Sequence, residues 1–295
     1  MKVVVLGGSG FLGSHVADKL SEMGNTVIIY DRKISPWLRS DQTMEIGDIL
    51  DFEKLVHTIA DSEVVYNFAA LADLNQALNK PIETVQVNVL GNVYTLEACF
   101  RCKVKRYIYA STIYVHSREG GFYRCSKQAA EHYVEEYQRK YNLDYTILRY
   151  GSLYGPRSEE TNGLYRIVQT ALMTGKVTYE GSSEAFREYI HVEDAAKASL
   201  TVLSDNFRNQ SVVLTGQEPM RVIDLMKMLA EILGISQNNI EFINQESEGH
   251  YVRTPYAYQP KLGYKFVLPM HVDLGQGLLQ LITEISAQTP HYLTR

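Results

Sequence analysis

Residues 2–13, KVVVLGGSGFLG, decide the fold. A continuous apolar run, Lys2–Leu6, stops at Gly7, and a helical pattern from about Phe11 to Met23 ends at Gly24, a residue suited to a helix C-terminus. Between strand and helix, Gly7, Gly10 and Gly13 recur every third residue. The first allows a tight turn, the second lets backbone amides approach a pyrophosphate, and the third lets helix and strand pack closely. The helix N-terminus, with Phe11 and Leu12 in its first turn, adds partial positive charge. This is the pattern of a dinucleotide site, provided the next strand ends in an acid. It does: the run Thr26–Tyr30 ends at Asp31, 18 residues beyond Gly13. That carboxylate would accept hydrogen bonds from an adenosine ribose and repel a 2′-phosphate, which favours NAD over NADP, while the adjacent Arg32 and Lys33 pull the other way. Asp48 and Ile49, in GDIL, are placed to meet the adenine, and Asp48 is equally suited to cap a helix.

Apolar runs at Val64–Phe68, Arg106–Ala110 and Tyr145–Arg149 alternate with helical segments near 51–60, 83–102 and 123–141. Such runs, without polar alternation, imply a parallel sheet covered on both faces, a doubly wound α/β (Rossmann) domain that binds ligands at the carboxyl ends of its strands. After Arg149 the rhythm changes: YGSLYGPR is turn-rich, helical segments near 163–174 and 222–233 are separated by polar stretches, and prolines recur at 255, 260 and 269. The run SVVLT at 211–215 reads as a strand returning to the main sheet. The expected division is residues 1–150 plus about 188–216 for the cofactor domain, and about 151–187 plus 217–295 for a smaller, discontinuous substrate lobe.

Composition sets further bounds. The 295 residues suffice for a large packed core, and a net charge of −5 argues against a nucleic-acid partner, so an anionic ligand needs local cations. The sequence contains no run of 18 apolar residues, and a core strand begins immediately after Met1, so a cytoplasmic protein without membrane contact is expected. The three cysteines make no disulfide framework, and the lone Cys99-x-x-Cys102 lacks a second ligand pair; these read as reduced core residues and no metal is expected.

STIYVHSREGGFYRCSK, residues 111–127, places Tyr123 four positions before Lys127 at the opening of a helix, on one face. In a chain with 21 tyrosines the pair carries little by itself; beside a dinucleotide site it carries more. A phenol with an ordinary pKa of about 10 is a poor base, but a neighbouring ammonium and a cationic nicotinamide would favour the phenolate. Tyr123 could then take a proton from a sugar hydroxyl whose oxygen Thr112 holds.

These stretches, with NFAALAD, PIETVQVNVLGNVYTLEA, LRYGSLYGPR and REYIHVEDAA, make nearly the whole chain resemble the extended short-chain dehydrogenase/reductase family, in its NAD-dependent nucleotide-sugar epimerase and dehydratase branch. The resemblance implies that Tyr123 and Lys127 act as above, with Lys127 also contacting the nicotinamide ribose, and that Thr112 is the catalytic hydroxyl. Asn88 matches a residue near the cofactor, Ala69 falls in another cofactor-side stretch, and Arg187 matches a contact to a nucleotide-sugar diphosphate; its alternative is a surface ion pair with Glu184 or Glu188. Ser111, Ser152 and Arg253 complete the expected substrate side, and the long helices at 83–102 and 123–141 suggest a homodimer, as resembling enzymes form.

Departures narrow the reaction. Dehydratases of this family follow the site threonine with Asp-Glu, where Ile113 and Tyr114 stand here; the Glu of the decarboxylating branch is also missing. What remains is 4-epimerisation through a 4-keto sugar, or reduction of a 4-keto sugar, and Asp31 favours the first. A non-catalytic NAD-binding sensor or assembly protein is the alternative of another class; a 3,5-epimerase would need a second acid/base pair, and Cys125 faces elsewhere. Asn67 and Ser152 differ from the His and Asn of UDP-galactose epimerases, and Thr178 and Tyr179 suit either a base contact or an edge strand. Only ten residues separate Thr112 from Tyr123, with His116 in place of a tyrosine, which predicts a sugar pocket open on that side.

Overall fold

The computed structural model describes residues 1–243 and 250–256. Contacts divide the chain into two compact units, Met1–Gln259 and Pro260–Arg295; the second, with Pro260, Pro269 and most of the expected end of the substrate lobe, lies outside the described residues.

The first unit is organised by a seven-stranded parallel sheet. Its strands are β1 (Lys2–Leu6), β2 (Thr26–Asp31), β3 (Gln42–Ile46), β4 (Val64–Asn67), β5 (Arg106–Thr112) and β6 (Tyr145–Tyr150), joined later in the chain by Gln210–Leu214. Four short strands intervene: β7 (Ser152–Tyr154), β8 (Val177–Glu180), β9 (Phe186–Arg187) and β10 (Tyr189–His191). Gln210–Leu214 is therefore β11, and β12 (Met220–Arg221) and β13 (Ile240–Ile243) follow. The order across the sheet is β11-β6-β5-β4-β1-β2-β3. The sequence direction reverses between β1 and β4, and the carboxyl ends of those two strands are where a crevice opens. β3, with its half-polar sequence QTMEI, was not among the apolar runs because it is the exposed edge of the sheet.

The helices are α1 (Phe11–Glu22), α2 (Phe52–Ile59), α3 (Leu74–Asn79), α4 (Pro81–Val85), α5 (Gly91–Arg101), α6 (Gly121–Tyr141), α7 (Gly163–Thr174), α8 (Val192–Thr201) and α9 (Val222–Leu233). One face of the sheet is covered by α1 and α8, through Val16, Ala17 and Leu20 meeting Val192, Ala195 and Ala196. On the other face, α2, α5 and α6 bury Leu55, Ile59, Leu96, Cys99, Ala130 and Val134. Full burial of each Leu, Ile or Val is worth roughly 1.5–3 kcal/mol, so both faces contribute to stability. A third core gathers Ala171, Val177, Ala185, Leu225, Met226 and Ala230 from α7, β8, the segment before β9 and α9. Thr178 and Tyr179 belong to β8, which pairs in parallel with β13 in a two-stranded sheet.

The helical segment expected over 83–102 is interrupted. Pro81, at the first turn of α4, suits a helix start, and a π-turn at Gln86–Leu90 then inserts one extra residue per turn before α5. That widened turn carries Asn88 into the protein interior.

Candidate active site

The glycines meet the physical demands of a pyrophosphate cradle. Gly7 has φ +75°, and a Cβ there would lie 2.6 Å from the Ala69 nitrogen; a Cβ on Gly13 would lie 2.3 Å from the Gly7 carbonyl oxygen. Only glycine lets the end of β1, the loop after β4 and the start of α1 come this close. Ala69 thus faces the turn. No side chain caps α1 at Gly10, so the amides of its first turn, at Phe11, Leu12 and Gly13, are open to an anion. The Asp31 carboxylate accepts from the Ser9 amide at 3.1 Å and from the Lys33 amide at 3.3 Å. Each oxygen keeps a lone pair for a ribose hydroxyl. Arg32 is exposed next to it. The residues therefore fit a dinucleotide.

Asp48 is not a helix cap: its carboxylate accepts from the Leu50 amide at 2.9 Å, while Asp51 caps α2 by accepting from Lys54. Asp48 is one turn too early, and its own carbonyl takes the Tyr30 hydroxyl at 2.8 Å. Ile49 beside it is buried. Asn88 is a buried clamp: it accepts from the Leu71 amide at 2.7 Å and donates to the Leu71 carbonyl and to Ser126 Oγ, both at 3.0 Å. It thereby ties the loop after β4 to α6, the helix that carries Tyr123.

Ser111 and Thr112 do not leave the strand. They are the last two residues of β5, paired with Arg149 and Tyr150 of β6. Thr112 accepts from the Tyr114 amide at 3.3 Å and shares a hydrogen bond with Tyr123. Lys127 lies one turn along α6, donating to the Ala110 carbonyl at 2.8 Å, with its ammonium 4.8 Å from the Tyr109 ring centre and 5.8 Å from that of Tyr123. Burial pushes the Tyr123 phenol up to about 12, against the Thr112 hydrogen bond, and pulls the Lys127 ammonium down to about 7, against the field of Glu131. Thr112, Tyr123 and Lys127 are thus brought together. Ser111 is not aimed at a substrate: its hydroxyl is buried and donates to Glu131 at 2.5 Å.

The double glycine of SREGGF explains the short loop. Gly120 has φ +92°, and a Cβ there would lie 2.7 Å from the Tyr114 ring. The loop thus folds as a single 3₁₀ turn, Ile113–His116, held to α6 by Gln128 donating to the Val115 carbonyl at 2.8 Å. His116 is buried, 3.2 Å from Arg149. The expectation of an opening on this side is overturned. Tyr114 hydrogen-bonds His250 at 2.7 Å and packs on Tyr251 with ring centres 4.8 Å apart, so residues 250–251 close it. Contacts more than a hundred residues apart in the chain were not legible from the loop's length.

Arg187 also departs from its surface alternative. It forms no ion pair with Glu184 or Glu188; it is 6% exposed and donates to the carbonyls of Phe186 (2.9 Å) and Tyr251 (2.6 Å) and to the Tyr179 hydroxyl (3.4 Å). Its guanidinium lies 4.6 Å from the Tyr251 ring centre. Among the described residues these partners are neutral, which leaves its positive charge available to an anion. Ser152 is hydrogen-bonded to Tyr251, whereas Arg253 is exposed, with its guanidinium 5.9 Å from the Phe186 ring centre. Tyr251 was missed by sequence reading, although it joins Tyr114, Ser152 and Arg187. Cys99 is buried, Cys102 half-buried and Cys125 exposed, all with free thiols, and no helix among the described residues is long and apolar enough to cross a membrane.

Comparison with known proteins agrees with this fold. A putative UDP-glucose 4-epimerase of Methanocaldococcus jannaschii is 25% identical over 308 aligned positions, covering 95% of this chain and 97% of that protein. A dTDP-D-glucose 4,6-dehydratase of Mus musculus is 27% identical, covering 84% and 75%. The crystal structure of a Thermotoga maritima UDP-glucose 4-epimerase with UDP-glucose matches with a TM-score of 0.79 at 27% identity, over 88% of this chain and 90% of that one. Residues 3–214 match the profile of the "NAD dependent epimerase/dehydratase family". By its glycine cradle, its parallel sheet and this match, the chain belongs to the NAD-dependent epimerase/dehydratase family.

Proposed function

We propose that the protein is a nucleotide-sugar 4-epimerase with Tyr123 as its acid/base. The observation that carries this is the Thr112–Tyr123–Lys127 cluster at the carboxyl end of β5, with buried Ile113 and half-buried Tyr114 where an eliminating acid and base would stand. Bound NAD supplies a hydride acceptor that can return the hydride to either face of a planar 4-keto sugar. Tyr123 Oη removes the proton of the C4 hydroxyl and later returns it, Thr112 Oγ1 holds that oxygen, and the Lys127 ammonium stabilises the phenolate.

The anionic end of the substrate falls to Arg187, whose buried guanidinium has neutral partners, with Ser152 nearby and Arg253 at the rim. In this reading residues 151–187 and, among the described residues, 217–243 form the nucleotide-sugar lobe, and Ser111 acts behind Thr112. The apolar side chains of Leu78, Ile82, Val85 and Phe122 are 58, 76, 55 and 46% exposed on and beside α3, α4 and α6. They favour a homodimer through this face. Incubation with UDP-, dTDP-, GDP- and CDP-sugars, with and without NAD(P)H, read by NMR, tests the function. Conversion without added cofactor and without net redox change is expected. Consumption of a keto sugar together with reductant would establish a reductase instead, and a 4-keto-6-deoxy product a dehydratase.

A further inference from the structure

Behind the catalytic cluster lies a buried charged group that the mechanism does not use. Glu131 sits on α6 one turn beyond Lys127 and its carboxylate side chain is 7% exposed. Arg149 of β6 grips it with two bonds, Nε to Oε1 at 3.0 Å and Nη2 to Oε2 at 2.6 Å, and Ser111 Oγ donates to Oε1 at 2.5 Å. Arg149 in turn reaches His116 at 3.2 Å. One carboxylate therefore fastens the end of β5, the neighbouring strand and the 3₁₀ turn to the helix that carries Tyr123.

Resting on the epimerase reading, we propose that Glu131 is a positioning residue: its buried carboxylate supplies the negative charge that Lys127 faces and fixes the strand end that presents Thr112. A buried ion pair is weak evidence for stability as such, because desolvation offsets attraction. The arrangement here does something an apolar pair could not. Lys127 is 3% exposed, and burial disfavours its charged form. Among the described residues, the groups facing it are the Ala110 carbonyl and Tyr109 ring from β5, the Tyr123 ring from its own helix and, four residues along the same face of α6, Glu131; Arg149 and His116 lie behind Glu131. Of these, Glu131 carries the negative charge. Both its oxygens are occupied, so it acts on Lys127 through its field and does not take the ammonium away from the site.

Glu131→Gln keeps an acceptor for Ser111 but leaves the largely enclosed Arg149 without a counter-ion, so it is paired with Glu131→Gln/Arg149→Met, in which both charges are removed. The readout is the titration midpoint of Lys127 in the protein with lysine ¹³Cε labels, assigned by the resonance lost in Lys127→Met, with no sugar present. The midpoint is expected to fall by about 1 pH unit or more in the double variant and to stay near the wild-type value in Glu131→Asp. The alkaline limb of turnover should move down with it. An unchanged midpoint in the folded double variant would overturn the proposal. A shifted midpoint in a protein that converts no nucleotide sugar would refute the epimerase reading alone, leaving the field of Glu131 on Lys127 established.

Discussion

Gly13→Ala sets two measurable effects against each other. Alanine in place of glycine within a helix favours folding by about 1 kcal/mol, and on helix propensity alone the variant would be the more stable protein. The added Cβ, however, would lie 2.3 Å from the Gly7 oxygen and 3.0 Å from both the Gly7 carbonyl carbon and Gly8 Cα. These are backbone atoms that cannot rotate away. Relief requires α1 to retreat from the turn by about 1 Å, since ordinary carbon contacts begin near 3.5 Å. On its far side Val16, Ala17 and Leu20 are fully buried against α8, so retreat strains that packing. Overpacking of this kind costs about 1–3 kcal/mol or more, and the rigidity of the obstacle places it at the upper end. The expected net loss is about 2 kcal/mol, or roughly 30-fold in the folding equilibrium. Urea unfolding measures it, with Gly163→Ala as the control, because a Cβ at Gly163 meets nothing within 4 Å. Calorimetry with NAD should show affinity lost by about tenfold or more as the amides of α1 move off the pyrophosphate. A Gly13→Ala protein as stable as wild type, with undiminished NAD binding, would refute the close-approach argument.

Other perturbations separate the parts of the site. Tyr123→Phe should abolish turnover while NAD remains bound, as seen by fluorescence titration; full activity would remove the phenol from the mechanism. Asp31→Ala should weaken NAD more than NADP in parallel titrations, because only the ribose diol loses an acceptor. Lys127 titrates near 7 in the folded protein against an ordinary 10.5, so the unfolded chain binds the extra proton between those values and stability rises with pH across that window. Lys127→Met should therefore lack this rise, and its stability advantage should be largest below about pH 7 and shrink toward 10.5; parallel slopes in denaturation at several pH values would contradict the buried ammonium.

The sheet and its cofactor end were legible because they are local. Gly7, Gly10, Gly13 and Asp31 act through short-range geometry that a sequence displays, and apolar runs mark strands buried on both faces. β3 escaped because an edge strand need not be apolar. Tyr123 and Lys127 were found by spacing, but the roles of Ser111, Asn88 and Glu131 depend on partners 17 to 38 positions away across different elements. Tyr251 and the closure over Tyr114 depend on contacts spanning 64 to 137 residues, for which no local pattern exists. Arg187 was legible as a cation, while its burial among carbonyls was not.

The central claim is tested most directly by a nucleotide sugar carrying deuterium at C4, incubated with the protein in ordinary water and followed by NMR. Internal return of the hydride predicts that the epimerised product keeps its deuterium at C4. Loss of the label to solvent would contradict the account and place the inversion on proton exchange at carbon.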